Sequence, residues 1–351
     1  MNNLPKYLDA AATTPVDKRV LDAMYPYFSE VFGNASSSHV YGLTAKKSIE
    51  IARNQVAELI NADSKEIIFT SGATESINLA LKGFVESNIG KGNHIITVKT
   101  EHKAVLSTCE YLETKGFEVT YLDVDSNGLI SLEDLKLAIK ETTILIAIMY
   151  VNNEIGVIQS IADIGEIAQV NNICFFCDAT QAVGKVKVDV LADNIDMLCF
   201  SGHKLNGPKG IGVLYKKINI KLTPLLHGGS QENGLRAGTY NTPLIVGLGK
   251  ACEIITKELD SHISSLLEKR NAVEKYYEEN SIGNINFKEV ARAPHIVSIT
   301  LNDMKAEDYL IIKSKDFSAS TGSACNSNIV VDSHVLTALN KKNKNIIRIS
   351  F

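Results

Sequence analysis

Apolar runs of strand length recur through the first two thirds of the chain: IIFT at 67–70, HIITV at 94–98, EVTYLDV at 118–124, TILIAIMYV at 143–151 and CFFCDA from Cys174. Between them, Ile77 to Val85, Val105 to Leu112 and Ile161 to Val170 carry apolar residues at helical spacing. Val- and Ile-rich strands alternating with amphipathic helices predict βα units around a buried, mostly parallel sheet. Further on, strands MLCF and GVLY flank a Gly-rich loop.

The rhythm changes near residue 242, where Thr242-Pro243 opens a helical-period stretch running to about Glu279. Pro243 is expected at helix position N1, with Thr242 as its cap. A strand (His295 to Leu301), a helix (Ala306 to Lys313), a Ser/Gly-rich loop (Ser318 to Ser327), a short helix from Asp332 and a terminal strand, NIIRISF, follow. These make a second, smaller α+β unit. A length of 351 residues agrees with two units.

Composition narrows the class. With 45% hydrophobic and 22% charged residues the chain is an ordinary globular protein. A net charge of -4 gives no broad positive field for a nucleic-acid backbone, so no direct nucleic-acid ligand is expected. The start, MNNLPKYLDA, lacks a basic region followed by an apolar one, and no run reaches the ~20 apolar residues of a membrane span. A cytoplasmic protein off the membrane is expected. Six dispersed cysteines, several inside apolar segments, fit a reducing compartment. Cys174 and Cys177 lie three apart in one predicted strand and face opposite ways, which reads as core packing rather than a metal pair.

Five segments carry chemistry. TSGATE (70–75) follows a strand and opens a helix, where free backbone N–H groups suit a phosphate; it also reads as an ordinary N-cap. Asp178 ends strand CFFC at the ligand edge of an α/β sheet, where its carboxylate can hold a pyridinium N–H or cap a helix. In SGHKLNGPKG (201–210), Lys204 sits at a strand end among small residues and can form a Schiff base, while Lys209, between Pro and Gly, reads as a surface turn. His102, in TEHK after strand HIITV, brings a titratable ring to the same edge or is a loop histidine. Cys325, flanked by small residues in SASTGSACNS, is expected to be exposed and reactive.

In this order, YLDAAATTP, GNASSSH, EIIFTSGATESINLA, TEHKAV, VNNEIGV, DATQAVGK, FSGHKLNGPKGIG, HGG, RAGT and TGSAC resemble, nearly end to end, the cysteine desulfurases of the NifS/IscS type. These belong to the class V aminotransferase group of fold-type I pyridoxal-phosphate enzymes. The resemblance implies a PLP-dependent transferase fold of type I: an α/β large domain (15–245) with a mostly parallel seven-stranded sheet, and a small domain from 1–14 and 246–351. TGSAC resembles the first desulfurase subgroup rather than the SufS-like one.

Carried over by position, the resemblance makes Lys204 the cofactor-binding lysine and proton shuttle, and stacks His102 on the pyridoxal 5'-phosphate ring. Asp178 would pair with the ring nitrogen and Gln181 with the ring hydroxyl. Ala73, Thr74, Ser201 and His203 would hold the phosphate, with Thr239 reaching in from the second subunit of a homodimer. Asn153, also a cofactor contact, and Arg348 would hold the carboxylate of L-cysteine, Arg348 through a bidentate pair. Cys325 would take the sulfur as a persulfide, leaving alanine, and pass it to an acceptor protein serving iron–sulfur cluster assembly, tRNA thiolation or DNA phosphorothioation. No resident metal is implied, although Cys325 can transiently ligate an iron–sulfur cluster on a scaffold.

Ala35 and Ala237 stand where the family commonly has Pro and Ser, and the chain ends three residues after Arg348, where relatives usually continue; the small domain and acceptor docking are where a difference is expected. The alternatives are another class V enzyme, such as a selenocysteine lyase or a small-amino-acid aminotransferase, or a catalytically idle binding partner. A thiol in TGSAC distinguishes the desulfurase from an aminotransferase.

Overall fold

The computed structural model describes residues 4–321, 333–341 and 345–351. Its elements run β1 (Lys6–Tyr7), α1 (Lys18–Met24), α2 (Pro26–Ser29), α3 (Val40–Leu59), β2 (Ile67–Thr70), α4 (Ala73–Ser87), β3 (His94–Val98) and α5 (Lys103–Glu113). Then come β4 (Glu118–Leu122), α6 (Leu132–Ala138), β5 (Thr143–Ala147), α7 (Ile161–Val170), β6 (Cys174–Asp178), β7 (Met197–Ser201) and β8 (Gly212–Lys216). The last third holds α8 (Thr242–Glu279), β9 (Gly283–Ile285), β10 (Ile296–Leu301), α9 (Ala306–Ile312), β11 (Phe317–Ser318), α10 (His334–Ala338) and β12 (Ile346–Ser350).

Seven strands form the main sheet, in the order β2-β8-β7-β6-β5-β3-β4. All neighbouring pairs are parallel except those of β8, which runs antiparallel to both β2 and β7. Except at the edge strand β4, which is partly exposed, the sheet is buried on both faces, as its continuous apolar runs require. Along β6, Cys174 and Phe176 enter one core, and Phe175 and Cys177 the other. The two cysteines of the CxxC thus point away from each other, as their strand spacing predicts.

One core is covered by α3 and α8. Gly249 of α8 comes so close to α3 that a Cβ there would lie 2.6 Å from the Ala52 Cα, so only glycine permits this approach. The opposite core is covered by α4 and α5, through Ile77, Leu81, Val105 and Cys109 among others. The predicted helix at 242 is present, but its cap is Asn241, whose side chain accepts from the Leu244 N–H; Thr242 is the first helical residue. The strand expected over 143–151 ends at Ala147, after which only Val151 bridges, to Ile158.

A second, three-stranded antiparallel sheet, β12-β10-β9, packs its own apolar cluster against Tyr277 near the end of α8 and against Leu8. The N-terminal stretch runs beside it: β1 pairs with β11, Asp9 bridges Ser350, and the Ala11 N–H donates to Ser350 Oγ at 2.9 Å. That placement delivers Ala11 and Ala12 to the edge of the main sheet.

Candidate active site

β2, β6 and β7 end on one edge of the sheet, and the loops leaving them, with those after β3 and β5, wall a cavity of about 910 Å³. Its size and its place beyond the strand ends are those of a ligand site in an α/β fold. Ala73, Thr74, His102, Asn153, Asp178, Gln181, Ser201, His203, Lys204 and Arg348 all contribute to its wall. Thr239 is exposed and not part of the wall, and Cys325 lies outside the described residues.

At one end, α4 begins at Gly72, and among the described residues no side chain caps it. Its first backbone amides therefore face the pocket as a phosphate site would require. The turn is fixed from behind. Thr70 Oγ1 bonds Ser76 Oγ at 2.7 Å, and the Ser71 N–H donates to Glu75 Oε2 at 2.8 Å, while Arg236 Nε holds Glu75 at 2.9 Å. β8 passes directly beneath: a Cβ on Gly212 would lie 2.5 Å from the Gly72 Cα. A Cβ on Gly72 would meet only Ser201 Oγ, at 3.8 Å, so the space over the turn is open. His203 joins this end with Nδ1 3.1 Å from Thr13 Oγ1. Burial, with the charges of Lys204 and Lys209, pushes its pKa down to about 4, so the ring is neutral at physiological pH.

Lys204 lies in a short 3₁₀ turn after β7, and its Nζ donates to the carbonyls of Ala11 at 2.5 Å and Ala12 at 2.8 Å. Lys209, its competitor in the sequence, is exposed in a turn. Asp178 is buried at the end of β6, where Oδ1 accepts from the Thr180 N–H at 2.9 Å and from the Cys199 thiol at 3.6 Å. Among the described residues no helix lies between β6 and β7, so the helix-capping alternative does not hold; Asp178 instead fixes a turn from within the pocket wall. Gln181 donates from Nε2 to the Ala11 carbonyl at 2.9 Å. His102 caps α5, Nδ1 accepting from the Ala104 N–H at 3.1 Å, which leaves the ring proton of a neutral imidazole on Nε2. The α4 amides, Lys204, Asp178 and a flat imidazole in one cavity fit the donor set of a phosphorylated pyridine aldehyde.

Across the pocket, the buried Arg348 of β12 donates from one terminal nitrogen to the Asn153 carbonyl at 2.8 Å and from the other to Asp9 Oδ1 at 2.6 Å. Asn153 thus meets Arg348 through its backbone.

Four residues that sequence reasoning left unassigned belong to this wall or its support. Glu101 is 1% exposed and accepts from the Met149 N–H at 2.5 Å; burial, then the charge of Asp178, pushes its pKa well up. His334 lines the cavity and binds the Glu101 carbonyl through Nε2 at 2.8 Å, and Ser333 beside it donates to Glu154 at 2.5 Å. Asp9 orients Arg348. TEHK contains Glu101 and YLDAAATTP contains Asp9, so position in a chemistry-bearing segment was their signal.

The five described cysteines are all free and buried. Burial pushes the Cys109 thiol up to about 12, and the thiols of Cys174, Cys177, Cys199 and Cys252 upward as well. None can supply a thiolate at neutral pH.

The family model for class-V aminotransferases matches residues 6–351. Among curated proteins, cysteine desulfurase IscS of Neisseria gonorrhoeae is 51% identical over 353 residues, covering 99% of this chain and 87% of the relative. That of Klebsiella pneumoniae is 48% identical, covering 96% and 84%. Among solved structures, a NifS-like protein superposes with a TM-score of 0.92 at 37% identity, covering 99% of this chain and 94% of that one. SspA in complex with cysteine does so with a TM-score of 0.87 at 40% identity, covering 99% and 98%.

Proposed function

Because the chain belongs to the class-V aminotransferases and, among them, to the cysteine desulfurases of the IscS type, we propose that its pocket cleaves L-cysteine with pyridoxal 5'-phosphate, Lys204 and Cys325. L-cysteine and the Cys325 thiol give L-alanine and a Cys325 persulfide: the carbon–sulfur bond breaks, a sulfur–sulfur bond forms, and the two hydrogens needed at alanine Cα and Cβ come from the enzyme's acid–base groups and solvent. The single observation that carries this reading is the convergence on one cavity of Lys204, Asp178, His102, the open start of α4 and Arg348.

Lys204 would hold the cofactor covalently, Asp178 its ring nitrogen, Gln181 its ring oxygen and His102 its face. Ala73, Thr74, Ser201 and His203 would hold the phosphate. When bound, the cofactor supplies an electron sink for the carbanion at Cα. Arg348 and Asn153 would fix the substrate carboxylate, so that the Cα hydrogen lies toward Lys204. Its amine, kept in place by the Ala11 and Ala12 carbonyls, would take that proton and return it. Cys325 would attack the sulfur as a thiolate, a role that the buried thiols of the other five cysteines cannot fill.

A homodimer agrees with the exposure of Tyr25, Phe28, Phe32, Val40, Tyr41 and Leu43, among which the Phe32 and Tyr41 rings lie 5.7 Å apart. Thr239, exposed and clear of its own pocket wall, would serve the partner's phosphate. No helix among the described residues is long and apolar enough to cross a membrane; a cytoplasmic site of action, a protein acceptor for the persulfide, and the division into a large (15–245) and a small unit are part of the same proposal.

The test is to assay alanine and sulfide from L-cysteine with a thiol reductant, recording the bound cofactor's visible band. Cys325→Ala should keep the band and lose sulfide release, and Lys204→Ala should lose both. A Cys325→Ala protein as active as the parent would overturn the mechanism.

A further inference from the structure

Gln181 carries a primary amide whose two ends can exchange, presenting the pocket with either a donor or an acceptor. Its orientation follows from its neighbours. The Ala11 carbonyl can only accept, so the Gln181 atom 2.9 Å away is Nε2. Oε1 then faces His295 Nε2 at 3.1 Å, and because an amide oxygen only accepts, His295 must carry a proton on that nitrogen. The same Ala11 carbonyl receives Lys204 Nζ at 2.5 Å, so His295, Gln181, Ala11 and Lys204 form one chain of hydrogen bonds ending at the reactive amine.

His295 is built into the fold. It is 0% exposed, immediately precedes β10, and its carbonyl accepts from the Phe351 N–H at 3.0 Å. Among the described residues nothing bonds its Nδ1, which is also buried, so the bond to Gln181 is the ring's one hydrogen bond. Burial and the surrounding Lys185, Arg348, His262 and Lys204 push its pKa down and keep it neutral, but an Nε2–H donor is present whether the ring is neutral or charged.

We propose that His295 is a positioning residue: by donating to Gln181 Oε1 it locks the amide so that Nε2, and not Oε1, serves the Ala11 carbonyl and the cofactor's ring oxygen. This rests on the reading of the site given above. Without that lock the amide can turn over, placing an acceptor against the carbonyl and against an anionic ring oxygen. A lost donor makes the ring oxygen more basic, and the nitrogen that Lys204 contributes beside it is then harder to deprotonate.

The experiment is a pH titration of the visible band of bound pyridoxal 5'-phosphate, with cofactor content and melting temperature measured alongside. His295→Leu is expected to titrate about one pH unit higher than the parent, the effect of one hydrogen bond to a charged oxygen. His295→Gln, which restores an N–H donor at the same reach, should return to the parent value. Gln181→Leu should show the full shift, and adding His295→Leu to it should change nothing further. If His295→Leu does not fold, His295→Met replaces it. A variant that melts lower but titrates as the parent does, or a Gln variant displaced as far as the Leu one, would overturn the inference and leave the site reading standing. A parent protein that acquires no visible band would overturn both.

Discussion

Arg53 and Glu232, 179 positions apart in sequence, form a two-pronged ion pair, each terminal nitrogen of the guanidinium 2.8 Å from one carboxylate oxygen. Both residues are buried. Glu232 also accepts from the Phe69 N–H at 3.0 Å, and Arg53 donates to the Ile67 carbonyl at 2.7 Å, so the pair fastens the loop bearing Arg236 and Thr239 to β2. Removing one partner strands a buried charge, at a cost of about 3–5 kcal/mol. Glu232→Gln should lower the melting temperature by roughly 10 °C. Arg53→Lys should fall nearly as far, because an ammonium cannot reproduce the fork. A shift of a degree or two in either variant would show that the loop is held by other contacts.

Gly212 leads to a sharper local prediction. Its Cβ would meet the Gly72 backbone, at 2.5 Å from Cα and 2.6 Å from the carbonyl carbon, and backbone cannot rotate away as a side chain can. Gly212→Ala should therefore displace the TSGATE turn and weaken cofactor binding at least tenfold by equilibrium dialysis, an effect of ~1.4 kcal/mol or more. Far-UV dichroism should change little, because β8 remains paired on both sides. Parent-like affinity would mean that the phosphate is not held at that turn.

Much of this architecture was legible because periodicity is a local signal. Ile-rich runs marked β2, β3 and β5, the aromatic and Cys run CFFC marked β6, and the helical spacing after residue 242 marked α8. Strand direction was less legible: GVLYK reads as a strand, but nothing within it says that β8 runs antiparallel to its neighbours. In the site, side chains in small-residue loops stood out, whereas the Ala11 and Ala12 carbonyls that hold Lys204 have no side-chain signature. Arg53 did leave one. It occupies the apolar stripe of α3 with Ile49 and Val56, where an unpaired charge would be untenable, but its partner lies too far along the chain to be named.

Asn241 and Thr242 separate two readings of the α8 start. Asn241 accepts from the Leu244 N–H, and Thr242 is already helical. Asn241→Ala should cost about 1 kcal/mol and Thr242→Ala less, measured by thermal melting of otherwise identical proteins. The reverse ranking would restore the cap expected from sequence.

Glu101 carries the last prediction, through its proximity to Asp178. Burial and that neighbouring charge raise its folded pKa well above the ordinary value, while in the unfolded chain it ionises near 4.5. At pH values between these two, the folded state holds one proton more than the unfolded state. Its contribution to stability is therefore complete below about pH 4.5 and is lost as pH rises, by up to about 1.4 kcal/mol per pH unit, until the folded pKa is passed. Glutamine at this position stays uncharged in both states and can still accept from the Met149 N–H. Glu101→Gln should match the parent near pH 4.5 and gain on it as pH rises from there until the folded pKa is passed, as read from melting temperatures at a series of pH values. A gap between the two proteins that does not change with pH would mean that Glu101 ionises in the folded state as readily as in the unfolded chain, and that Asp178 has a second carboxylate beside it.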